Sequence, residues 1–518
     1  VLIHDYLAYW ADRSPDAVCV DDGGRAWTWA QAREQAQRFA NVLTSLGVGD
    51  GDRIAVLAKN RVEWAAVYAG AFLVGAVPVP LNYRQAPREW LHPLADSGAV
   101  LVVAEDSYRD GLDGLRPELP AVRSWLTLDG PAEGWAELAP LVAEASPDPP
   151  PNRIEPGHTL YQMYTSGTTG RPKGALLTHA SADANLTQLR TALDLPQGGS
   201  NLLAAPLFHA GGAMNLFTAW VAGMTSHMIV DFTPDGCARR MDDAAVTMAS
   251  LVPAMIQAML THSTVVHERR FEALRLIQYG ASAINDETLR RAMAVFGCDF
   301  HQVYGQTEST AVLTSLPPDV HRAALAGRPE LLLSAGRPLV GTELRIVDPS
   351  GADLARGEVG EILARGPQLM SGYWNLPAET RATLRDGWLH TGDAGHLDDS
   401  GLLYVSDRVK DMIVSGGENV FPKEIEDVLH QHPAVAEAAV IGVPDERWGE
   451  TVHAVVVPRP GRSISADEAV GWCRERLGGY KCPRTVEVVG EFPRNAAGKI
   501  LKRVLREPYW AGRRRGVG

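Results

Sequence analysis

The sequence predicts an α/β protein: a large N-terminal domain of two doubly wound α/β subdomains, followed by a small α+β C-terminal domain. Three observations predict it. From about residue 53, apolar β-rich runs alternate with helical patterns; a proline-rich break from Ser146 to Pro151 interrupts the alternation, which then resumes; and from about residue 342 short strands appear between Asp, Gly and Ser turns. Alternation of this kind argues for parallel strands joined by helical crossovers, and the later pattern for antiparallel β.

Taken in order, RIAVL at Arg53–Leu57 reads as a strand, followed by a helix from Glu63, a strand at Ala76–Pro80, a helix near Glu89 and a strand at Val100–Val103. The most apolar run, Trp64 to Val77, is 14 residues cut off by Pro78. It falls short of the roughly 20 residues that span a bilayer, and reads as a buried helix. After the break, strands are expected at 201–205, 227–230, 274–279 and 299–304, then antiparallel strands at 342–348, 360–364 and 401–405. Beyond Lys410 the pattern predicts a helix over 422–430, strands near 436–441 and 452–457, a helix over 467–477 and a last strand near Val486.

Bulk properties narrow the function. A chain of 518 residues is long for one core, and roughly 150 residues per domain suggests two to four domains. The net charge of −13 excludes the basic footprint that nucleic acid requires, and Arg513, Arg514 and Arg515 read as a solvated tail. The five cysteines, Cys19, Cys237, Cys298, Cys473 and Cys482, are scattered and never in a CxxC spacing, which suggests free thiols in a reducing compartment. No charged stretch followed by an apolar one opens the chain. A cytoplasmic protein without an integral membrane segment is expected.

Four motifs carry chemistry. YTSGTTGRPKG, from Tyr164 to Gly174, puts three glycines, four aliphatic hydroxyls and a lysine into eleven residues. Glycines let backbone N–H groups approach an anion, hydroxyls add donors and Lys173 adds charge, so the loop suits phosphate. It is not a P-loop of the NTPase kind, because Gly174 stands where that loop needs Ser or Thr after its lysine. YGQTE, Tyr304–Glu308, falls where a strand is expected to end, the place where open α/β sheets gather ligands. Tyr304 can stack on a base, Thr307 can donate to a phosphate, and Glu308 offers the hard oxygen that Mg²⁺ takes beside phosphate oxygens. LHTGD, Leu389–Asp393, with Arg408 fifteen residues later, can hold the two hydroxyls of a ribose. PRNAAGKI, Pro493–Ile500, is a glycine-lysine turn able to bring one cation to a developing phosphate charge. Each motif alone is an ordinary turn, a surface ion pair or a solvated lysine.

In this order the four motifs resemble the adenylate-forming superfamily of acyl-CoA synthetases, adenylation domains and beetle luciferases, over nearly the whole chain from Gly51 to Lys499. The resemblance implies a β-barrel beside the two α/β subdomains and a mobile C-terminal domain, with residues 1–407 forming the adenylation domain and 408–518 a lid hinged at Lys410. It implies a first step joining a carboxylate to ATP, with release of pyrophosphate, and a second passing the acyl group to a thiol. Thr165, Ser166, Gly167, Thr168, Thr169 and Lys173 would wrap the β- and γ-phosphates, and Thr165 with Glu308 would serve Mg²⁺. Gly280, Ala281 and Ser282 match the adenine-side loop, which Gln302, Tyr304 and Thr307 extend. Asp393 and Arg408 would hold the ribose, and Lys499 would bridge the carboxylate and the α-phosphate during adenylation. A carboxylate attacking a phosphate meets like charge, so cations and backbone donors are expected to carry catalysis without a protein nucleophile.

His209, in PLFHAGGA, matches the start of the acyl pocket, where it is expected to orient the carboxylate or gate the thiol. Amino-acid-activating relatives carry an aspartate in this segment, and here Ala210 and Gly211 follow the histidine. Gly211, Gly212, Ala213, Ala281 and Ala283 are small and leave room for a bulky acyl group, or serve close packing. A medium- or long-chain fatty acid comes first as substrate, an aryl or cinnamate-like acid second. Gly416 and Gly417 resemble the wall of a pantetheine tunnel and Trp448 falls where some relatives stack the CoA adenine, whereas Cys482 stands where some carry a basic residue. ATP, Mg²⁺ and coenzyme A are the expected cofactors, and a homodimer is a family-level expectation. A carrier-protein pantetheine is the alternative acceptor. A non-catalytic adenylate- or lipid-binding homologue and a luciferase-like oxidase are the rival readings.

Overall fold

Five strands in the order Val77–Pro80, Arg53–Leu57, Leu101–Ala104, Ser124–Thr127 and Ala136–Glu137 form a wholly parallel sheet in the computed structural model of the protein. The structure describes residues 1–151, 153–165, 171–195, 197–280, 284, 286–408, 411–415, 418–445, 448–494 and 500–511. These fall into two units, one of Val1–Leu344 with Ala364–Leu389 and one of Arg345–Leu363 with His390–Gly518.

In the first unit the central strands of this sheet, Arg53 apart, are apolar and buried, as parallel strands covered on both faces must be. The apolar run anticipated as a buried helix is Glu63–Val74, with ten of its twelve residues buried. Gly75 ends it at φ +74°, and the rest of the run turns into the strand Val77–Pro80.

A second sheet has nine strands, in the order Arg337–Pro338, Thr314–Leu316, Asp299–Tyr304, Leu276–Gly280, Met248–Leu251, Ser200–Leu203, Thr225–Met228, Val18–Asp21 and Ala26–Thr28. From Asp299–Tyr304 to Val18–Asp21 every pairing is parallel, and the edges are antiparallel. The four strands expected between residues 201 and 304 are all here, within a few residues. Val18–Asp21 was not anticipated. It pairs with residues 226 and 227, a contact between distant segments that no local periodicity encodes.

The third element is a hairpin. Thr159–Thr165 runs antiparallel to Lys173–Thr178, and Gly372–Tyr373 pairs along the second strand. The glycine- and hydroxyl-rich motif therefore connects two strands of one hairpin, rather than a strand to a helix.

The second unit contains the strands Glu418–Val420, Ile413–Ser415, Gly449–Pro458 and Val435–Asp445 in that order, with Thr485–Val488 parallel to Gly449–Pro458. Helices Pro422–His430 and Ala466–Arg474 supply Ile425, Leu429, Ala469 and Cys473 to a core shared with Ile413, Val440, Val456 and Cys482. The helix Lys502–Trp510 was not anticipated. Leu505 packs beside the cluster of Ala439, Val455 and Phe492, and Trp510 Nε1 donates to the Gly442 carbonyl at 3.0 Å. Residues 393–397 pair antiparallel with Leu403–Arg408 in the same unit. All five cysteines are free. Among the described residues no helix is long and apolar enough to cross a membrane.

Candidate active site

The hairpin places Thr165 and Lys173 opposite one another in register, so the two ends of the glycine-rich motif are held together by strand pairing. Behind them, Tyr164 donates its hydroxyl to Asp96 Oδ2 at 2.6 Å and accepts from Gln162 Nε2 at 2.9 Å. Burial and the bond to Asp96 raise the phenol above its ordinary pKa, keeping it a donor. Trp374 closes this side. Its backbone N–H donates to the Gly174 carbonyl at 2.8 Å and its indole to the Asp96 carbonyl at 3.0 Å, with the Arg53 guanidinium 3.5 Å from its ring centroid. Ser166, Gly167, Thr168 and Thr169 lie outside the described residues.

Glu308 is carried by a tight reversal. Leu313 N donates to the Tyr304 carbonyl at 2.8 Å and the strand Thr314–Leu316 returns along Asp299–Tyr304. A Cβ at Gly305 would lie 2.2 Å from the Ala311 carbonyl oxygen, so only glycine lets the two arms approach this closely. Thr310 and Ala311 adopt φ of 59° and 128°, conformations costing about 1–3 kcal/mol each in non-glycine residues and maintained only where surrounding contacts impose them. Those contacts are Met370 N to the Glu308 carbonyl at 2.9 Å and Thr310 Oγ1 to the Gln368 carbonyl at 2.6 Å.

The carboxylate that results points at the hairpin. Glu308 Oε1 lies 3.5 Å from Thr165 Oγ1 and accepts the Tyr373 hydroxyl at 2.8 Å. Lys173 Nζ stands 5.1 Å from the centre of the Tyr373 ring. Thr165, Lys173 and Glu308, anticipated from two separate motifs, thus meet. Tyr373 and Trp374 join them unanticipated; the one signal available was two adjacent aromatics directly after Gly372. One carboxylate and one hydroxyl are hard oxygen donors of the kind that hold Mg²⁺ together with phosphate oxygens, so the donor set fits that ion.

On the neighbouring strands, Tyr279 pairs with Gln302 and Gly280 with Val303. Gln302 and Tyr304, two apart on one strand, share a face. The Tyr279 oxygen lies 3.2 Å from Gln302 Oε1 and 2.9 Å from His321 Nε2. Thr307 opens the short turn Thr307–Ser309 that carries Glu308. Ala281 and Ser282 lie outside the described residues.

His209 begins the helix Ala210–Ala222, and the loop before it is clamped by Asn60. That buried amide donates to the Ala205 and Ile229 carbonyls, both at 3.1 Å, and accepts Leu207 N at 2.9 Å. Tyr68 adds a bond to the Leu207 carbonyl at 2.8 Å. Burial, with the Arg84 charge as a smaller cause, lowers the His209 pKa to about 4, so the imidazole is neutral at pH 7. Of the small residues beside it, Gly212 serves packing: its Cβ would fall 2.1 Å from the Pro206 carbonyl oxygen. Ala213 is fully buried in the main core. Only Gly211 faces open space, so these residues do not by themselves line a roomy pocket.

In the second unit Asp393 is 5 % exposed, with its N–H on Thr391 Oγ1 at 3.1 Å, and its strand position pairs with Arg408. Trp448 N donates to Asp445 Oδ1 at 2.9 Å, and the Arg484 guanidinium lies 5.2 Å from the Trp448 ring centre. Cys482 is buried in the core of this unit, its thiol 3.6 Å from the Gly478 carbonyl. It is a packing residue, which explains why no cation stands there. Lys410, Gly416, Gly417 and Lys499 lie outside the described residues, as does the side chain of Arg408.

Comparison with known proteins shows the family. Residues 7–374 match the family described as AMP-binding enzyme and residues 424–499 the AMP-binding enzyme C-terminal domain. The chain is 37% identical over 514 residues to the fatty acid–[acyl-carrier-protein] ligase ScoC of Streptomyces coeruleorubidus, covering 98% of this chain and 97% of that protein. It is 38% identical over 501 residues to a feruloyl-CoA synthase of an Amycolatopsis species, covering 96% and 97%. Among solved structures, O-succinylbenzoate coenzyme A synthetase (MenE) from Bacillus subtilis, in complex with ATP and a magnesium ion, superposes with a TM-score of 0.84 at 32% identity, covering 96% and 98%.

Proposed function

The chain belongs to the AMP-binding enzyme family, as an AMP-forming acid–thiol ligase using ATP, Mg²⁺ and CoA, and we propose that it converts a fatty or aryl carboxylic acid to its CoA thioester through an acyl-adenylate. The observation that carries this reading is the meeting of Thr165, Lys173 and Glu308 at the loop end of the glycine-rich hairpin. Thr165 and Lys173, with the loop between them, hold the β- and γ-phosphates, and Glu308 with Thr165 holds Mg²⁺. The ion supplies charge neutralisation on the phosphate oxygens when bound. Gly280, Gln302, Tyr304 and Thr307 take the adenine side, Asp393 and Arg408 the ribose. Lys499 bridges the carboxylate and the α-phosphate, on a lid of residues 408–518 that turns at Lys410.

His209, neutral and donor-capable, orients the acid or gates the thiol. A medium- or long-chain fatty acid comes first as substrate and a cinnamate-like acid second, supported by relatives named for a fatty acid and for a feruloyl group. Trp448 with Gly416 and Gly417 receives CoA. The similarity to a carrier-protein ligase supports a second acceptor, a carrier-bound pantetheine. A cytoplasmic location completes the proposal, supported by five free thiols.

The test is pyrophosphate release over a panel of fatty, cinnamic, benzoic and amino acids, each with and without CoA. Release that depends on a fatty or aryl acid and rises with CoA is expected. Release indifferent to CoA redirects the search to a carrier protein, and silence across the panel counts for an inactive homologue.

A further inference from the structure

On the proposed adenine side, Gln302 is tied through Tyr279 to the buried His321. His321 Nδ1 lies 3.0 Å from the Pro317 carbonyl oxygen. A carbonyl only accepts, so Nδ1 carries the imidazole hydrogen and Nε2 presents a lone pair. The Tyr279 oxygen is 2.9 Å from that lone pair, and its single proton goes there. Both side chains are buried, and burial acts on each in the sense this pattern needs. It lowers the His321 pKa, outweighing the raising effects of the Pro317 bond, Asp299 and Asp319, and leaves the ring neutral at pH 7. It raises that of Tyr279, which stays protonated.

The Tyr279 oxygen then has only lone pairs left for Gln302. The amide atom placed 3.2 Å from it is Oε1, which would set two acceptors against each other. Amide oxygen and nitrogen are nearly isosteric and their places are decided by the surrounding network. The network here turns the amide over: Nε2 donates to Tyr279, and Oε1 is the amide atom left to accept from a ligand on this half-buried side chain.

We propose that Tyr279 and His321 act as positioning residues that hold the Gln302 amide with its carbonyl oxygen toward the nucleobase, so that the site selects a 6-amino purine over a 6-oxo purine. The inference rests on the ATP-dependent reading above. A 6-amino group donates to that oxygen, whereas a 6-oxo group confronts it with a second acceptor.

The test is calorimetric binding of ATP and of inosine triphosphate, each with Mg²⁺, which requires no knowledge of the acid. Wild-type protein is expected to prefer ATP by about tenfold, the discrimination one satisfied against one frustrated hydrogen bond provides. Tyr279→Phe frees the amide to turn either way and brings the ratio close to one. His321→Phe leaves the phenol proton to Gln302 Oε1, presents the amide NH₂ to the base and moves the preference toward inosine triphosphate. His321→Gln, which can offer Tyr279 an acceptor again, restores the ATP preference and separates this role from folding. Well-folded variants that keep the wild-type ratio overturn the inference and leave the ATP-dependent reading intact. A wild-type protein that binds no ATP overturns that reading itself.

Discussion

The Tyr373 hydroxyl donates to Glu308 Oε1 at 2.8 Å, and the same carboxylate oxygen lies 3.5 Å from Thr165. A phenol from the strand that extends the glycine-rich hairpin therefore aims the proposed Mg²⁺ ligand. A hydrogen bond to a charged acceptor contributes about 1.5–3 kcal/mol. Tyr373→Phe is expected to raise the Mg²⁺ concentration for half-maximal pyrophosphate release by about tenfold or more, and Glu308→Gln to lower the rate further. Magnesium titrations of both variants check this; an unchanged titration for Tyr373→Phe would separate the phenol from the ion.

Lys499→Ala is expected to cut adenylation by about two to three orders of magnitude, the scale of losing one preorganised charge donor. Thioester formation from supplied acyl-adenylate should be largely kept. Measuring the two half-reactions separately checks it, and equal loss in both would contradict the role given to Lys499.

Asn60→Leu strands two carbonyls and one N–H in the loop before His209. Each orphaned buried group costs about 1–3 kcal/mol. A lower thermal midpoint is expected, together with a raised KM for the acid, because the loop that carries His209 loses its clamp.

Buried imidazoles give the fold an acid limit. Burial lowers His179 to about 3 and His209 and His301 to about 4, whereas the unfolded chain titrates near the ordinary value of about 6.5. Between those values the unfolded state binds more protons, so stability is complete above about pH 6.5 and falls as the pH drops toward 4. Thermal midpoints measured from pH 7 to 4 should decline. His301 lies 0 % exposed with no hydrogen-bond partner on either ring nitrogen among the described residues, so His301→Phe should make the decline shallower.

Cys482→Lys, which installs the basic residue that some relatives carry, is expected to destabilise the second unit rather than improve CoA use. The side chain at 482 is 6 % exposed, and an unpaired charge there costs several kcal/mol. A lost or lowered thermal transition, against a wild-type-like KM for CoA in a mild Cys482→Ala variant, checks it.

Local chemistry made much of this protein legible in its sequence. Apolar runs of strand length between helical patterns announced both parallel sheets, because buried parallel strands need unbroken β-branched stretches. The spacing of glycines, hydroxyls, Lys173 and Glu308 pointed to the phosphate and metal site proposed above, because such atoms are what hold such charges. What depends on contact between distant segments was out of reach. Val18–Asp21 takes its place from a partner two hundred residues away, and Tyr373 reaches Glu308 only because the strand Gly372–Tyr373 pairs along the hairpin. Gly212 looked like pocket space and is a packing contact with the Pro206 carbonyl. The Gln302 amide is oriented by a proton whose place is set at Pro317. The sequence by itself determined which chemistry the chain can perform; tertiary structure alone decided which side chains aim and support those groups, since hydrogen-bond direction and close packing exist only once the chain has folded.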